Sequence, residues 1–343
     1  MSRLWFLALM LSSIGVDAHH SRAHFQIDKT IEIEGTVTEV SWSSPHIYVT
    51  VSAQDRAGVE QSWTLEGHSI PGSMRVGWQK ESVQAGDRVV IIAHPNRDPE
   101  KTFAMLYSAT RIDGTTYYAY AIPAGVAVPG VDSRRPTAPS TDFAGTWSAA
   151  VSVREATIDS YRAPTDWPVT ERGRIQAEAF DIDADPVLDC VPMGVPRLVL
   201  ATYSHRWTRP NAATLLIEKE RTPQIRTIHL DGAPRPADFV PTELGYSVGR
   251  LEADGTLVIE TDGFVATPWG NARGLDSSAQ KRVTERYTLA ADGYGMQVSY
   301  TIEDPVYLRA PKTITGEYRK SADFEFVTET CDPQTARRHL QFK

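Results

Sequence analysis

The sequence predicts a mainly β protein, with a small OB-like antiparallel barrel followed by a larger lipocalin-like antiparallel barrel. Three observations lead there. Short runs alternate apolar and polar residues with a period of two, the pattern of half-buried strands. Turn signals such as Gly86-Asp87, Asp231-Gly232, Asp254-Gly255 and Asp292-Gly293 punctuate these runs. A proline- and glycine-rich stretch at 122–141 separates two blocks of alternation, 19–121 and 142–343.

The elements follow in chain order. Residues 1–18 read as an export signal: Arg3 supplies the positive end, 4–11 the apolar run, and Val16-Asp17-Ala18 the cleavage site. That run is shorter than the roughly 20 residues a bilayer requires. No other run is long enough, so no integral membrane segment is expected after cleavage near Ala18. The expected location is the periplasm or outside the cell. In the first block, Ile31, Ile33 and Val37 alternate with polar residues, as do Ile47, Val49 and Val51, then Trp63 and Leu65. Residues 88–93 form a compact β-branched run, and 71–84 has room for one short helix. About 100 residues with such strands suit a small barrel. In the second block the expected strands are 213–218, 225–230, 247–251, 256–261, 283–289, 296–302 and 313–319. Residues 168–180 carry the helical pattern, with Thr170 as N-cap. So many consecutive strands favour a closed barrel, because closure removes exposed edges.

Composition bounds the function. The chain has 343 residues and a net charge of −8. Nucleic-acid binding is not expected, since it needs a basic face. Cys190 and Cys331 are an even pair, which in an exported protein favours a disulfide. Two free thiols are the alternative, although Cys190 has no neighbouring histidine in sequence to activate it.

Both blocks resemble uncharacterised exported families. His19-His20-Ser21, Gly35-Thr36-Val37, Trp42-Ser43-Ser44-Pro45-His46, Trp63-Thr64-Leu65-Glu66, Gly77-Trp78 and Ala85-Gly86-Asp87 are similar to motifs of an exported bacterial domain family. Its members start the mature chain with His-His-Ser and carry Trp-x-x-Pro-His. The resemblance implies a small β-barrel outside the cytoplasm. The second block resembles an uncharacterised exported lipocalin-like family through Phe143-Ala144-Gly145-Thr146-Trp147, Cys190-Val191-Pro192-Met193-Gly194-Val195-Pro196-Arg197, Arg226-Thr227-Ile228-His229, Thr284-Glu285-Arg286 and Glu303-Asp304-Pro305. This chain departs from that pattern at Tyr246, Leu251 and Lys281-Arg282. The family pattern has His, Trp and His there, so an activity carried by those histidines would be lost or changed.

Three sets of residues carry candidate chemistry. His19, His20, His46 and His94 are the metal candidates, with Glu66 as a further ligand or an acceptor that orients a ring nitrogen. An N-terminal His19 would offer both amine and imidazole, and copper stands highest in the affinity series for such donors. Trp42, Tyr48, Trp63 and Trp78 could line a binding face or simply form the core and its rim. In the second block, His229, Glu285 and Asp231 are the catalytic candidates, and Arg226, Arg250, Arg286 and His205 the ligand-binding ones. Strand alternation puts Arg226 with Ile228 on one face and His229 on the other, and sets Glu285 opposite Arg286. Inward Arg and Glu would have to pair with each other or hold a ligand. No Gly-x-Ser-x-Gly elbow, P-loop, dinucleotide fingerprint or His-Glu-x-x-His motif is present.

These observations leave three readings open. The first is an exported protein that binds an apolar small molecule in the second barrel, with the first barrel as an accessory or docking module. The second is a lyase, isomerase or hydrolase using acid–base residues in that barrel. The third is copper binding through the N-terminal histidines.

Overall fold

The computed structural model describes residues 24–120, 126, 138–149, 164, 166–201, 203–220, 224–321, 326 and 331–342. The expected signal at 1–18, His19, His20 and most of 122–141 lie outside the described residues.

The first barrel is built from β1 (Ile31–Ser41), β2 (Tyr48–Gln54), β3 (Glu60–Glu66), α1 (Ile70–Arg75), β4 (Arg88–His94) and β5 (Phe103–Arg111). A short β6 (Thr116–Tyr118) extends β5 as a hairpin. β1 pairs with both β2 and β4, β2 with β3, and β4 with β5, all antiparallel. A parallel β3–β5 pairing closes the ring. This is the five-stranded Greek-key circuit of an OB barrel, with a helix between β3 and β4. A register shift between Val37 and Glu39 bends β1 so that it serves two neighbours. Gly35 sits where a Cβ would lie 2.3 Å from the Ser52 carbonyl oxygen, so only glycine allows that approach. Ile33, Val37, Val49, Val51, Leu65, Ile91 and Leu106 fill the interior. Trp78, expected as core or binding face, is core: it is buried and its Nε1 donates to the Tyr118 carbonyl at 2.9 Å. Trp42 and Trp63 pack against the same core from its margin.

The second barrel contains β7 (Gly145–Ala149), β8 (His205–Asn211), β9 (Thr214–Lys219), β10 (Ile225–His229), β11 (Tyr246–Leu251), β12 (Leu257–Asp262), β15 (Arg282–Leu289), β16 (Gly295–Glu303) and β17 (Lys312–Ser321). Between β12 and β15, β13 (Thr267–Ala272) and β14 (Leu275–Ser277) form a separate hairpin. The nine barrel strands close as β7-β8-β9-β10-β11-β12-β15-β16-β17, with β17 returning to β7. The circuit is antiparallel except at β10–β11, which are parallel over Ile228↔Ser247 and His229↔Val248. The connection at 230–245 carries Pro234, Pro236 and Pro241 and is long enough for a crossover.

Helix α2 (Glu171–Glu178) begins where expected: Thr170 caps it by accepting from the Gly173 N–H at 3.2 Å. It leans on the β13–β14 hairpin through Gln176 and Asp276, which exchange bonds of 2.7 and 3.1 Å. α3 (Arg197–Leu200) precedes β8, and the buried Arg197 is held by Asp185 at 2.5 Å. Cys190 and Cys331 form a disulfide. It ties the turn after Pro186–Asp189 to α4 (Pro333–Ala336), where Arg337 also clasps Asp189 at 2.6 Å. The barrels meet through Arg75 of α1 paired with buried Glu220, and through Arg338, which lies 3.5 Å from Glu39 and over the Tyr48 ring. Among the described residues no helix is long and apolar enough to cross a membrane.

The disulfide closes a loop with a sequence separation of 141 residues. On a chain-entropy basis a loop of that length contributes up to about 5 kcal/mol. Replacing both cysteines with serine should lower unfolding stability by several kcal/mol in a denaturant titration, and a loss below ~1 kcal/mol would contradict it.

Candidate functional site

The interior of the second barrel holds a connected set of polar side chains. Period-two alternation turns Arg226, Ser247, Thr261, Glu285, Tyr287, Tyr300 and Tyr318 inward, and all are buried. Arg226 Nη1 donates to Glu285 Oε2 at 3.1 Å, Nε to Ser247 at 3.1 Å and Nη2 to Thr261 at 2.8 Å. Glu285 Oε1 stands 2.8 Å from Nη2, an ion contact without hydrogen-bond alignment. Tyr287 donates to Glu285 at 2.6 Å. Tyr300 bridges the Tyr287 and Tyr318 hydroxyls at 3.2 and 3.1 Å, and Tyr318 donates to the Val199 carbonyl at 2.7 Å. Burial, then neighbouring Glu285, push the Tyr287 hydroxyl well above its usual range, so it stays a donor. Apart from Glu285 Oε1, the polar side-chain atoms of this network find hydrogen-bond partners within the protein.

His205 is the exception inside this barrel. Its Nδ1 accepts from Trp207 Nε1–H at 2.6 Å, which leaves the ring proton on Nε2. Nε2 is buried and has no hydrogen-bond partner. Burial, and secondarily Lys219, hold the imidazole pKa well below its usual value, so the ring is neutral. Tyr318 packs edge-on against it at 4.3 Å. The wall around it includes Trp147, Trp207 and Ile217.

The remaining candidates of this half face outward. His229 lies on the outer side of β10, stacked on Tyr246 at 4.4 Å. Asp231 is exposed and accepts from the Ala233 N–H at 3.0 Å within its turn. Arg250 pairs with Glu260 at 3.2 Å, and Arg286 with Glu252 at 2.5 Å, both exposed. The structure thus brings Arg226 and Glu285 together and sets His229 and Asp231 on the other side of the wall. An open cleft of about 400 Å³ is lined by Gln280, Arg282, Glu303, Asp304, Leu308 and Arg309. None of the sequence-derived site residues lines it.

Lys281 is fully buried. Its Nζ donates to the Val195 carbonyl at 2.5 Å and Ser277 Oγ at 3.1 Å, 4.2 Å from the Phe264 ring centre. Burial lowers its pKa to about 7, with Asp304 opposing.

The first barrel presents a second cluster on its outer β2–β3 face, the face that OB barrels use for ligands. Tyr48 and Glu66 are directly opposite on β2 and β3. Both are almost fully buried, and Tyr48 Oη and Glu66 Oε1 have no hydrogen-bond partner. Burial pushes the Glu66 carboxyl up to about 8. His46, in the loop before β2, has Nδ1 3.1 Å from the Gly67 carbonyl and 3.7 Å from Glu66 Oε1. His68 accepts from the Ser69 N–H at 2.7 Å. His94 is separated from Glu66 by Met105, which pairs with both, so two strand spacings of about 5 Å each intervene. His94 Nδ1 lies 2.7 Å from the Lys29 carbonyl. His46 and Glu66 therefore come together, His94 stands apart, and His19 and His20 are outside the described residues. Among the described residues no three His, Cys, Asp or Glu side chains converge as a metal-ligand set.

Fold and sites together define a two-barrel β protein with one buried cluster in each barrel. Residues 8–104 match the model of a family of unknown function, DUF6152, which spans the first barrel as far as the start of β5. No curated protein and no solved structure matches the chain.

Two predictions follow from the buried charges. Glu285→Leu alone should cost roughly 3–5 kcal/mol because it strands Arg226, whereas Arg226→Met with Glu285→Leu should cost less than that single change. Urea unfolding of both variants checks this; a double variant worse than the single one would contradict it. For Lys281, the unfolded chain holds a proton that the folded chain loses between pH 7 and 10.5. Stability should therefore rise with pH across that window, by at most about 1.4 kcal/mol per pH unit. Lys281→Met should remove that contribution, and identical pH slopes for both proteins would rule it out.

Proposed function

We propose that this chain is an exported protein that binds one small, mostly apolar molecule inside the second barrel. The observation that carries this reading is the buried, unpartnered Nε2–H of His205. A buried donor without an acceptor costs about 1–3 kcal/mol, and a ligand carbonyl or ether oxygen would relieve it. The neighbouring polar side chains are bonded to one another, Glu285 Oε1 excepted, so the rest of the ligand would meet mostly aromatic and aliphatic wall. Nine strands also give more interior than the eight at which side chains alone just fill a barrel. Export is supported by the signal-like first 18 residues and by the Cys190–Cys331 disulfide, which suits an oxidising compartment. The similarity of 142–331 to an exported lipocalin-like family points the same way. On this reading the first barrel is an accessory module.

Native mass spectrometry of the intact protein recovered from the periplasm tests the proposal. The expected result is one organic adduct, released on unfolding, from a chain beginning at His19. His205→Phe should weaken rebinding of the released compound about ten-fold, the worth of one hydrogen bond near the upper end of its range. Absence of an adduct, or undiminished affinity in the variant, would overturn the reading.

A further inference from the structure

On several barrel strands an exposed arginine pairs with a carboxylate of the same or the next strand. Arg88 meets Glu34, Arg250 meets Glu260 and Arg319 meets Glu317. The excess of acidic side chains makes such partners plentiful. Arg282 and Arg309 are different. Both are exposed, and among the described residues neither guanidinium has an ion pair or a hydrogen bond. Glu303 stands directly opposite Arg282 across the β15–β16 ladder, yet no ion pair joins them. The two arginines line one cleft of about 400 Å³.

The cleft is held in shape by bonds that do not involve the guanidinium groups. Buried Asp304 accepts through Oδ2 from the Ser278 N–H at 2.7 Å and Asn271 Nδ2 at 2.9 Å. Its Oδ1 accepts from Ser278 Oγ at 2.7 Å and the Val306 N–H at 3.2 Å. The Asp304 carbonyl accepts from the Leu308 N–H, and the Pro168 carbonyl from the Arg309 N–H, both at 2.7 Å. Both carboxylate oxygens of Asp304 are thus engaged. The loop that carries Arg309 is fixed before any ligand arrives, which lowers the ordering cost of binding. Pro305, Ala310 and Pro311 supply apolar wall, and exposed Glu303 leaves one negative charge on the rim.

We propose that this cleft binds a small organic monocarboxylate. Arg282 and Arg309 hold the carboxylate, and its alkyl or aryl body lies against Pro305, Ala310 and Pro311. The planar guanidinium fork matches the two oxygens of a carboxylate. The volume falls within the range of about 300–1,000 Å³ typical of small-molecule sites. Glu303 sets the charge selectivity, because it repels a second negative charge on the ligand and so disfavours a phosphate dianion. Arg282 faces outward on β15 whereas His205 is inside the barrel, so this site and the interior one can each fail alone.

The test is titration of benzoate, inorganic phosphate and benzylammonium into the full-length protein, with the arginine Nε–H signals followed by NMR. Benzoate should bind saturably with a Kd of about 1 mM or tighter and shift the Arg282 and Arg309 signals. Phosphate should bind more weakly, and benzylammonium not at all. Arg282→Gln combined with Arg309→Gln should weaken benzoate about ten-fold or more. Circular dichroism should not change, since both side chains are exposed and unpaired. Glu303→Gln should tighten phosphate about two- to five-fold, the effect of one exposed charge. Absence of saturable benzoate binding would overturn the proposal, as would an affinity unchanged in the double variant. Equal or tighter binding of phosphate or benzylammonium would overturn it too.

Discussion

The Arg226–Glu285 pair is the constraint around which the second barrel is organised. Two full charges lie inside a ring of nine strands, where neither could remain alone. Each must be met by neighbours of the right kind, and β10, β11, β12 and β15 each contribute one: Arg226, Ser247, Thr261 and Glu285. The tyrosines of β15, β16 and β17 extend the arrangement to the Val199 carbonyl of α3. A one-residue slip of any of these strands would turn its polar group outward and an unsuited residue inward. The pair thus specifies register as well as contributing energy. The parallel seam at β10–β11 fits this role: with only two residue pairs in its ladder, Arg226 and Ser247 join the same two strands from inside.

Much of this architecture was legible in the sequence. Alternation located the long strands of the second barrel to within a residue or two, because each has one face in the core and one in water. Arg226 and Glu285 were legible as inward groups for the same reason, and Thr170 as a helix cap. The β8 strand was not, since His205-Arg206-Trp207-Thr208-Arg209-Pro210-Asn211 is polar and contains a proline. β13 and β14 escaped because they are short, with an irregular register on either side of the Arg273-Gly274 turn. The parallel seam depends on how residues 230–245 return, which no local pattern encodes.

The sites were less legible than the fold. Tyr287 and Tyr300 follow the inward alternation, but an aromatic at such a position reads as core until its hydroxyl is seen to have a partner. The unusual state of His205 depends on which nitrogen Trp207 occupies, a matter of geometry alone. In the first barrel, His46 and Glu66 stood out through their motifs, yet it is the register of the β2–β3 hairpin, with Tyr48 opposite Glu66, that brings the loop before β2 against the end of β3. His94 shares their end of the sheet without reaching them, because Met105 stands between.

One feature of the second barrel bears on how the protein is made. β7 pairs with β17, so the first and last strands of the ring touch: Ser148 meets Arg319, and Thr146 meets Ser321. During synthesis the emerging chain therefore has an unpaired edge until nearly its last residues are out. Contacts this distant in sequence form late and slowly. The long interval makes the nascent chain dependent on whatever keeps an open strand from pairing with a stranger.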